Sequence, residues 1–520
     1  MTPFKAPLDD ILFSLQVAGA GELPGYDAAF TREIGHHFAG FAEGEIAPLD
    51  EPGDRQGCRL TDGRVRMPDG FRDAYRTYAE AGWPGLTLPE LHGGQGMDAL
   101  TGAVVSEVFS GANHALQMVT GLVPGAARVL MRFGSADQQA RHLPGLASGT
   151  TLATMCLTES GAGSDLSRIR CRADQSDGWR ISGEKIFISG GDQDMSERIL
   201  HLVLARTSAD GIKGLSLFLC PSARSDGSRN AVTVTRIEEK MGLHASPTCQ
   251  LAFDGAEAEL IGDEGQGLAA MFTMMDHARL DVALQGVAHA ARAYDISRTY
   301  AAERVQGRGM DGAPVTLDGH ADVRRMLEQA DGLALGARAM AHLALVTMAR
   351  GGAPDLVDFM TPLTKVYCTE AGMRAADLGM QVLGGYGYLS EYRVEQTCRD
   401  TRITAIYEGA NGIHERALVT RLLPGAAGQA FAALLRTEAA PEVAKLWAAA
   451  RTAILSDEAA AAKVHEFTAL TAQVLLSLLW PRVERQAMTH PDPERIRRVA
   501  VRARGETHRR IAFHAGAILP

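Results

Sequence analysis

The hydrophobic pattern of this chain changes period twice, and that constrains the fold more than any single motif. From Tyr26 to about Gly149 the residues recur with helical spacing, in segments such as Phe71–Ala81 and Ala103–Phe109 punctuated by Gly and Pro. From Thr151 to about Gly262 the text turns to short β-rich runs. Residues 179–189 read as two strands around a Ser182-Gly183 turn, and residues 199–205, 215–219 and 232–235 follow at short intervals. An antiparallel sheet or small barrel is the expectation there. After Gly267 helical spacing returns, with Leu268, Met271, Met275, Ala278 and Val282 on one stripe. Leu280, Leu284, Val287, Ala291 and Tyr294 form a second stripe, as in a helix packed on two sides within a bundle. The class is α+β, mainly α.

A chain of 520 residues should hold about three or four structural units. The pattern changes suggest a helical domain over residues 1–150, a β domain over 151–265, a helical bundle over 266–424 and an Ala-rich helical extension over 425–520, beginning after Pro424-Gly425. With 52 Lys+Arg against 62 Asp+Glu the net charge is −10, which argues against nucleic acid as the main partner. No uninterrupted apolar stretch approaches the ~20 residues that span a bilayer. The N-terminus has no basic-then-apolar signal pattern. Seven scattered cysteines, none spaced C-x-x-C, fit a reducing cytoplasm rather than a disulfide framework or zinc ribbon. P-loop, zincin and α/β-hydrolase motifs are absent, and no metal site is expected; His36-His37 reads as solvated.

Chemistry concentrates in a few segments. In Met155–Asp165 a strand runs into Gly161-x-Gly163, where the backbone can bend tightly and offer N–H groups to a ligand. Alone this reads as a β-turn. It is accompanied, in order, by residues 185–191 (Lys-Ile-Phe-Ile-Ser-Gly-Gly), 302–306 (Ala-Glu-Arg-Val-Gln), 381–387 (Gln-Val-Leu-Gly-Gly-Tyr-Gly) and 406–413 (Ile-Tyr-Glu-Gly-Ala-Asn-Gly-Ile). Together these segments resemble the acyl-CoA dehydrogenase family of flavoproteins, over about residues 30–422. The N-terminal residues 6–13 and the tail beyond Pro424 resemble the longer subgroup that includes 3-methylthiopropionyl-CoA dehydrogenases.

The resemblance implies a fold with an N-terminal helical domain, a central β domain and a C-terminal four-helix bundle. It implies FAD as cofactor, with Met155, Leu157 and Thr158 beside the isoalloxazine and Gly163 and Ser164 where FAD phosphate and the substrate's pantetheine arm pass. Phe187, replacing the common Trp, and Ser189 would lie against the flavin. Arg304 and Gln306 would reach FAD across a subunit interface, which implies a homo-oligomer, with a dimer favoured. Gln381, Gly384 and Gly385 would meet the adenosine end. Ala410, in place of the usual Thr, removes a hydroxyl from the cofactor's phosphate–ribose side. Asp276, Arg279 and Gly409 fall where relatives contact substrate, although a structural salt bridge is a close alternative for Asp276 and Arg279.

Glu408 corresponds to the family's catalytic base. In the implied reaction it takes the α-proton of an acyl-CoA thioester while flavin N5 takes the β-hydride, giving trans-2-enoyl-CoA, and electrons pass to an electron-transferring flavoprotein. Some relatives place the base on the helix at residues 274–283, but its inward position here is Ala278. Met271, Met274 and Met275 read as core, and Tyr386 and Tyr388 as packing or loop aromatics. Seven Arg between Arg495 and Arg510 read as a solvated helix face. They also motivate a competing class, a diverged relative that binds nucleic acid through its basic extension, as alkylation-response members of the family do.

Overall fold

The computed structural model describes residues 3–309, 312–456 and 460–519, except for the side chains of Asp276, His277 and Ala460. The chain divides into two compact units: one comprises residues 44–98 and 113–278, the other residues 1–43, 99–112 and 279–520.

The first unit is built on seven strands. Arg198–Arg206 is its central strand, paired in parallel with Thr151–Cys156 and antiparallel with Leu215–Pro221. The near-continuous apolar run Ile199–Ala205 is explained by that position, since neighbours on both sides bury every residue. Five strands close a hydrogen-bonded ring in the order 198–206, 172–176, 178–189, 248–261 and 215–221, with 151–156 and 232–237 attached outside it. The small barrel is therefore present, but it is mixed rather than purely antiparallel, because Arg198–Arg206 also meets Arg172–Ser176 in parallel.

Gly178–Ser189 is one strand, not two around a turn. At the supposed turn the register shifts between Ile181 and Ser182, and Gly183 has φ +141°. A Cβ at Gly183 would lie 2.8 Å from Cys171 Cα, so glycine serves close strand approach at a bulge. A second shift, between Lys185 and Ile188, contains Phe187 at φ +59°. The expected all-helical character of residues 26–149 also fails at Arg59–Thr61 and Arg64–Arg66, a hairpin turning through Asp62-Gly63. Asp192 anchors it by accepting from Arg64 Nε and from Val65 N at 2.8 Å.

The second unit is helical. Its main members are residues 279–303 of the 37-residue helix Gly267–Glu303, then Ala321–Arg350 and Pro354–Leu383. Leu280, Leu284 and Val287 are buried as the second stripe requires, and Ala291 and Tyr294 are half-buried. In the first stripe Met271 and Val282 are buried, while Leu268, Met275 and Ala278 are half-buried. Ala321–Arg350 is long and apolar enough to cross a membrane by length and composition, but 72% of its most apolar window is buried within the protein.

The extension belongs to the same unit. Ala426–Glu438, Pro441–Ser456, Val464–Gln486 and Pro493–Ile518 share a core with the bundle: Phe359 stacks on Phe431 at 4.6 Å, and Trp447 lies 5.2 Å from Phe431 and 5.9 Å from Phe467. The arginine run is only in part a solvated face. Arg495 is bound by Asp10 at 2.9 Å and Asp331 at 2.7 Å, while Arg502, Arg504 and Arg510 pair with Glu328, Glu484 and Glu506. Acidic partners thus occupy much of the feature that motivated a nucleic-acid reading.

Candidate active site

Glu408 sits in the short link between the 3-10 turn Arg402–Ala405 and the helix Asn411–Ala417. Two consecutive residues there are left-handed, Glu408 at φ +52° and Gly409 at φ +92°. Such a conformation is costly for a residue with a Cβ and persists only where the surroundings enforce it. Side chains from two helices do so. His414 Nε2 donates to the Glu408 carbonyl at 3.0 Å. Buried Lys365, on Pro354–Leu383, donates to the Gly409 carbonyl at 2.8 Å and to Asn411 Oδ1 at 2.9 Å. Asn411 Nδ2 in turn donates to Thr369 Oγ1 at 3.1 Å. Glycine suits position 409, since a Cβ there would combine φ +92° with a 2.7 Å approach to His414 Nε2.

With the carbonyls taken, the groups left over carry chemistry. Glu408 Oε2 is buried and has no hydrogen-bond partner among the described residues. Burial raises the Glu408 carboxyl to about 7, Arg279 and Lys365 hold it from rising further, and Asp281 pushes it up. A carboxylate near neutrality in a desolvated position is suited to general-base work. Burial lowers Lys365 to about 7, with Glu408 opposing that shift. Burial, with Arg279 and Lys365 beside it, lowers His414 to about 4, so at neutral pH its ring is uncharged and carries its proton on the donating Nε2.

Of the residues read from sequence in this unit, Glu408, Gly409, Ala410 and Arg279 come together. Ala410 is the N-cap residue of Asn411–Ala417 and supplies no side-chain cap. The helix that carries Asp276 is described, but the Asp276 side chain lies outside the described residues. Arg304 and Gln306 lie on an exposed segment whose strand Val305–Arg308 pairs with Pro314–Thr316. The Arg304 guanidinium stands over the Tyr386 ring at 5.4 Å, bringing it beside the stretch that holds Gln381, Gly384 and Gly385, all exposed. Tyr386 is therefore a cation–π partner as well as a loop aromatic. Sequence reading missed Lys365, His414 and Tyr386 as contributors, because a lone Lys or His on a helix carries no local motif.

In the β unit a second set assembles. Thr158 O accepts from Ile186 N at 2.9 Å, and buried Lys185 donates to Leu157 O and to Glu159, each at 2.9 Å. These bonds hold the end of Thr151–Cys156 against the strand bearing Phe187 and Ser189. Leu157 is itself buried, whereas Met155 and Thr158 are half-buried and Gly163 and Ser164 are exposed. The bulge leaves the Phe187 ring 61% exposed. The hydroxyls of Thr158, Ser164 and Ser189 have no protein partner among the described residues, and a Cβ at Gly161 or Gly163 would meet nothing within 4 Å. An uncovered aromatic, three unpaired hydroxyls and an open glycine turn fit a flat, polar-edged cofactor.

The N-terminal, middle and C-terminal domains of acyl-CoA dehydrogenases match residues 31–150, 154–256 and 265–423. The chain belongs to the acyl-CoA dehydrogenase family. It is 40% identical to a 3-methylmercaptopropionyl-CoA dehydrogenase of Ruegeria pomeroyi over 80% of this chain and 76% of that protein. It is 33% identical to a broad-specificity linear acyl-CoA dehydrogenase of Mycobacterium tuberculosis, over 83% and 77%. Among solved structures, a Bacillus anthracis acyl-CoA dehydrogenase complexed with FAD superposes with a TM-score of 0.76, covering 96% of this chain and 89% of that one at 22% identity, a likeness of fold that includes the helical extension. The chain is thus an oxidoreductase of a flavin-dependent dehydrogenase family, as its motifs imply.

Proposed function

We propose that this acyl-CoA dehydrogenase oxidises an acyl-CoA thioester to the trans-2-enoyl-CoA, with Glu408 as the base. The observation that carries the reading is the buried, unpartnered Glu408 Oε2 on an enforced left-handed turn. Glu408 takes the α-proton on Oε2, and its elevated pKa brings it closer to that of a weakly acidic carbon. The backbone N–H groups of Glu408 and Gly409 donate to no acceptor among the described residues. An N–H here is therefore available to polarise the thioester carbonyl and stabilise negative charge as the α-proton leaves. Arg279 keeps the carboxylate from becoming fully protonated at neutral pH. FAD, when bound, would supply the two-electron acceptor for the hydride lost from the β-carbon. Thr158, Phe187 and Ser189 would hold its ring system, and Arg304, Gln306 and the 381–385 stretch its adenosine end.

The relatives' names support small or linear acyl groups as the substrate class. The exposed Arg304 and Gln306 segment supports a homodimer in which one protomer completes its partner's flavin site. An electron-transferring flavoprotein is the proposed oxidant of the reduced enzyme, and the seven unpaired cysteines suit a reducing cytoplasm. The test is anaerobic mixing of the FAD-loaded protein with a panel of acyl-CoA thioesters. Bleaching of the oxidised flavin band, with the enoyl product recovered, is the expected result. A flavin-loaded protein that no thioester reduces would refute the proposal.

A further inference from the structure

We infer that Lys365 is a positioning residue for the dehydrogenation, clamping the turn that aims the Glu408 carboxylate; the inference rests on Glu408 being the base. Lys365 lies 43 residues away in sequence, on the helix Pro354–Leu383, and is fully buried. A buried ammonium is expensive unless its donors are used. Both identified bonds go to the same short segment, the Gly409 carbonyl at 2.8 Å and Asn411 Oδ1 at 2.9 Å. Those acceptors flank Ala410, so one ammonium fixes the residue after the base and the first residue of the following helix. It does not hydrogen-bond the carboxylate, whose Oε2 stays unpaired. The clamp therefore sets the turn while leaving the proton-accepting atom free.

The electrostatic surroundings give a signature that packing alone would not. Glu408 is faced by Arg279 and Asp281 from Gly267–Glu303, by Lys365 from Pro354–Leu383, by His414 from Asn411–Ala417 and by the adjacent Tyr407. Lys365 is itself faced by Glu408, Arg279 and Glu370. Lys365, one of the two cations acting on Glu408, also holds its turn. Removing it should loosen the segment and raise the pH at which the base ionises. Replacing it by a neutral donor should separate the two effects.

The test uses the FAD-loaded protein and compares Lys365→Met, Lys365→Gln and Glu408→Gln with wild type. Acyl-CoA binding is read from the perturbed flavin spectrum, reduction by anaerobic stopped flow across pH 6–9, and the turn by amide hydrogen exchange over residues 406–411 without acyl-CoA. Lys365→Met is expected to bind acyl-CoA within a few-fold of wild type, to reduce flavin ~10–100-fold more slowly and to exchange faster at 406–411. The apparent pKa of its reduction rate should rise by about one unit. Lys365→Gln should recover part of the rate at high pH while keeping the raised pKa. Should the Met variant lose flavin, the Gln variant carries the same test. Wild-type rate, pH profile and exchange in the Lys365 variants would overturn the clamp. Wild-type reduction by Glu408→Gln would instead overturn the assignment of the base, a distinguishable failure.

Discussion

At Glu408 the backbone and the side chain answer to different neighbours. His414 and Lys365 hold the carbonyls of residues 408 and 409, whereas burial, Arg279 and Lys365 set the carboxyl near 7. Glu408→Gln should therefore retain FAD and acyl-CoA while flavin reduction falls by at least the ~10²–10⁴-fold of general-base loss. Stopped-flow bleaching measures this directly. In the wild type the base acts only when ionised, so the reduction rate should rise with pH through about 7. The same shift has a stability sign. The unfolded chain releases the Glu408 proton near 4.5 and the folded chain near 7, so between those values rising pH favours the unfolded state. Glu408→Gln removes that penalty, at most about 3 kcal/mol. Its melting temperature relative to wild type should climb as pH rises from 4.5 to 7 and level off above.

Among the elements, the link between residues 405 and 411 depends on one glycine. Gly409→Ala combines a Cβ at φ +92° with a 2.7 Å approach to His414 Nε2. About 1–3 kcal/mol of strain is expected, released by shifting the turn, so the variant should lose reduction rate more than acyl-CoA affinity. The strand Gly178–Ser189 shows how an element escapes local reading. Ser182-Gly183 has turn composition, but the space Gly183 supplies is filled by Cys171, which leads into the adjacent strand Arg172–Ser176. Conversely, the Asp62-Gly63 hairpin was legible as a turn signal between short β-prone triplets, and was obscured by the helical text around it.

At the scale of the whole molecule, Arg495 joins three parts of the helical unit. It binds Asp10 of the N-terminal helix Leu8–Val17 and Asp331 of Ala321–Arg350 from its place in the last helix of the extension. Burial would raise Asp10, but the hydrogen bond from His490 and the charges of Arg495 and Arg338 outweigh it and hold the carboxyl well below the usual range. Arg495→Ala removes the cation shared by Asp10 and Asp331, leaving Asp10 only His490 and Arg338, and should cost about 3–5 kcal/mol, read as a lower melting temperature and earlier proteolysis at the N-terminal helix and extension. For Asp10 the contribution is present above its unfolded pKa of 3.8 and lost as pH falls through its depressed value, so docking of the N-terminal helix should be acid-labile. In the proposed homodimer, Arg304→Ala should weaken FAD retention and dimerisation together, because a ligand shared across an interface would link the two equilibria. Light scattering with and without FAD checks this.

The sequence by itself determined the succession of helical, strand-rich and helical text, the buried stripe through Leu280, Leu284 and Val287, and the candidates Glu408, Gly409, Thr158, Phe187 and Arg304. These are local properties: periodicity fixes which face is apolar, and short motifs mark where backbone and side chains take special forms. Only the tertiary structure decided that the extension shares the bundle's core, that Arg495, Arg502, Arg504 and Arg510 pair with Asp10, Asp331, Glu328, Glu484 and Glu506, and that Lys365 holds the turn after Glu408. The physical reason is common to all three. A side chain's role depends on which partner replaces its water, and apart from Glu506, four residues before Arg510, that partner stands 20 to nearly 500 residues away, beyond the reach of any periodicity.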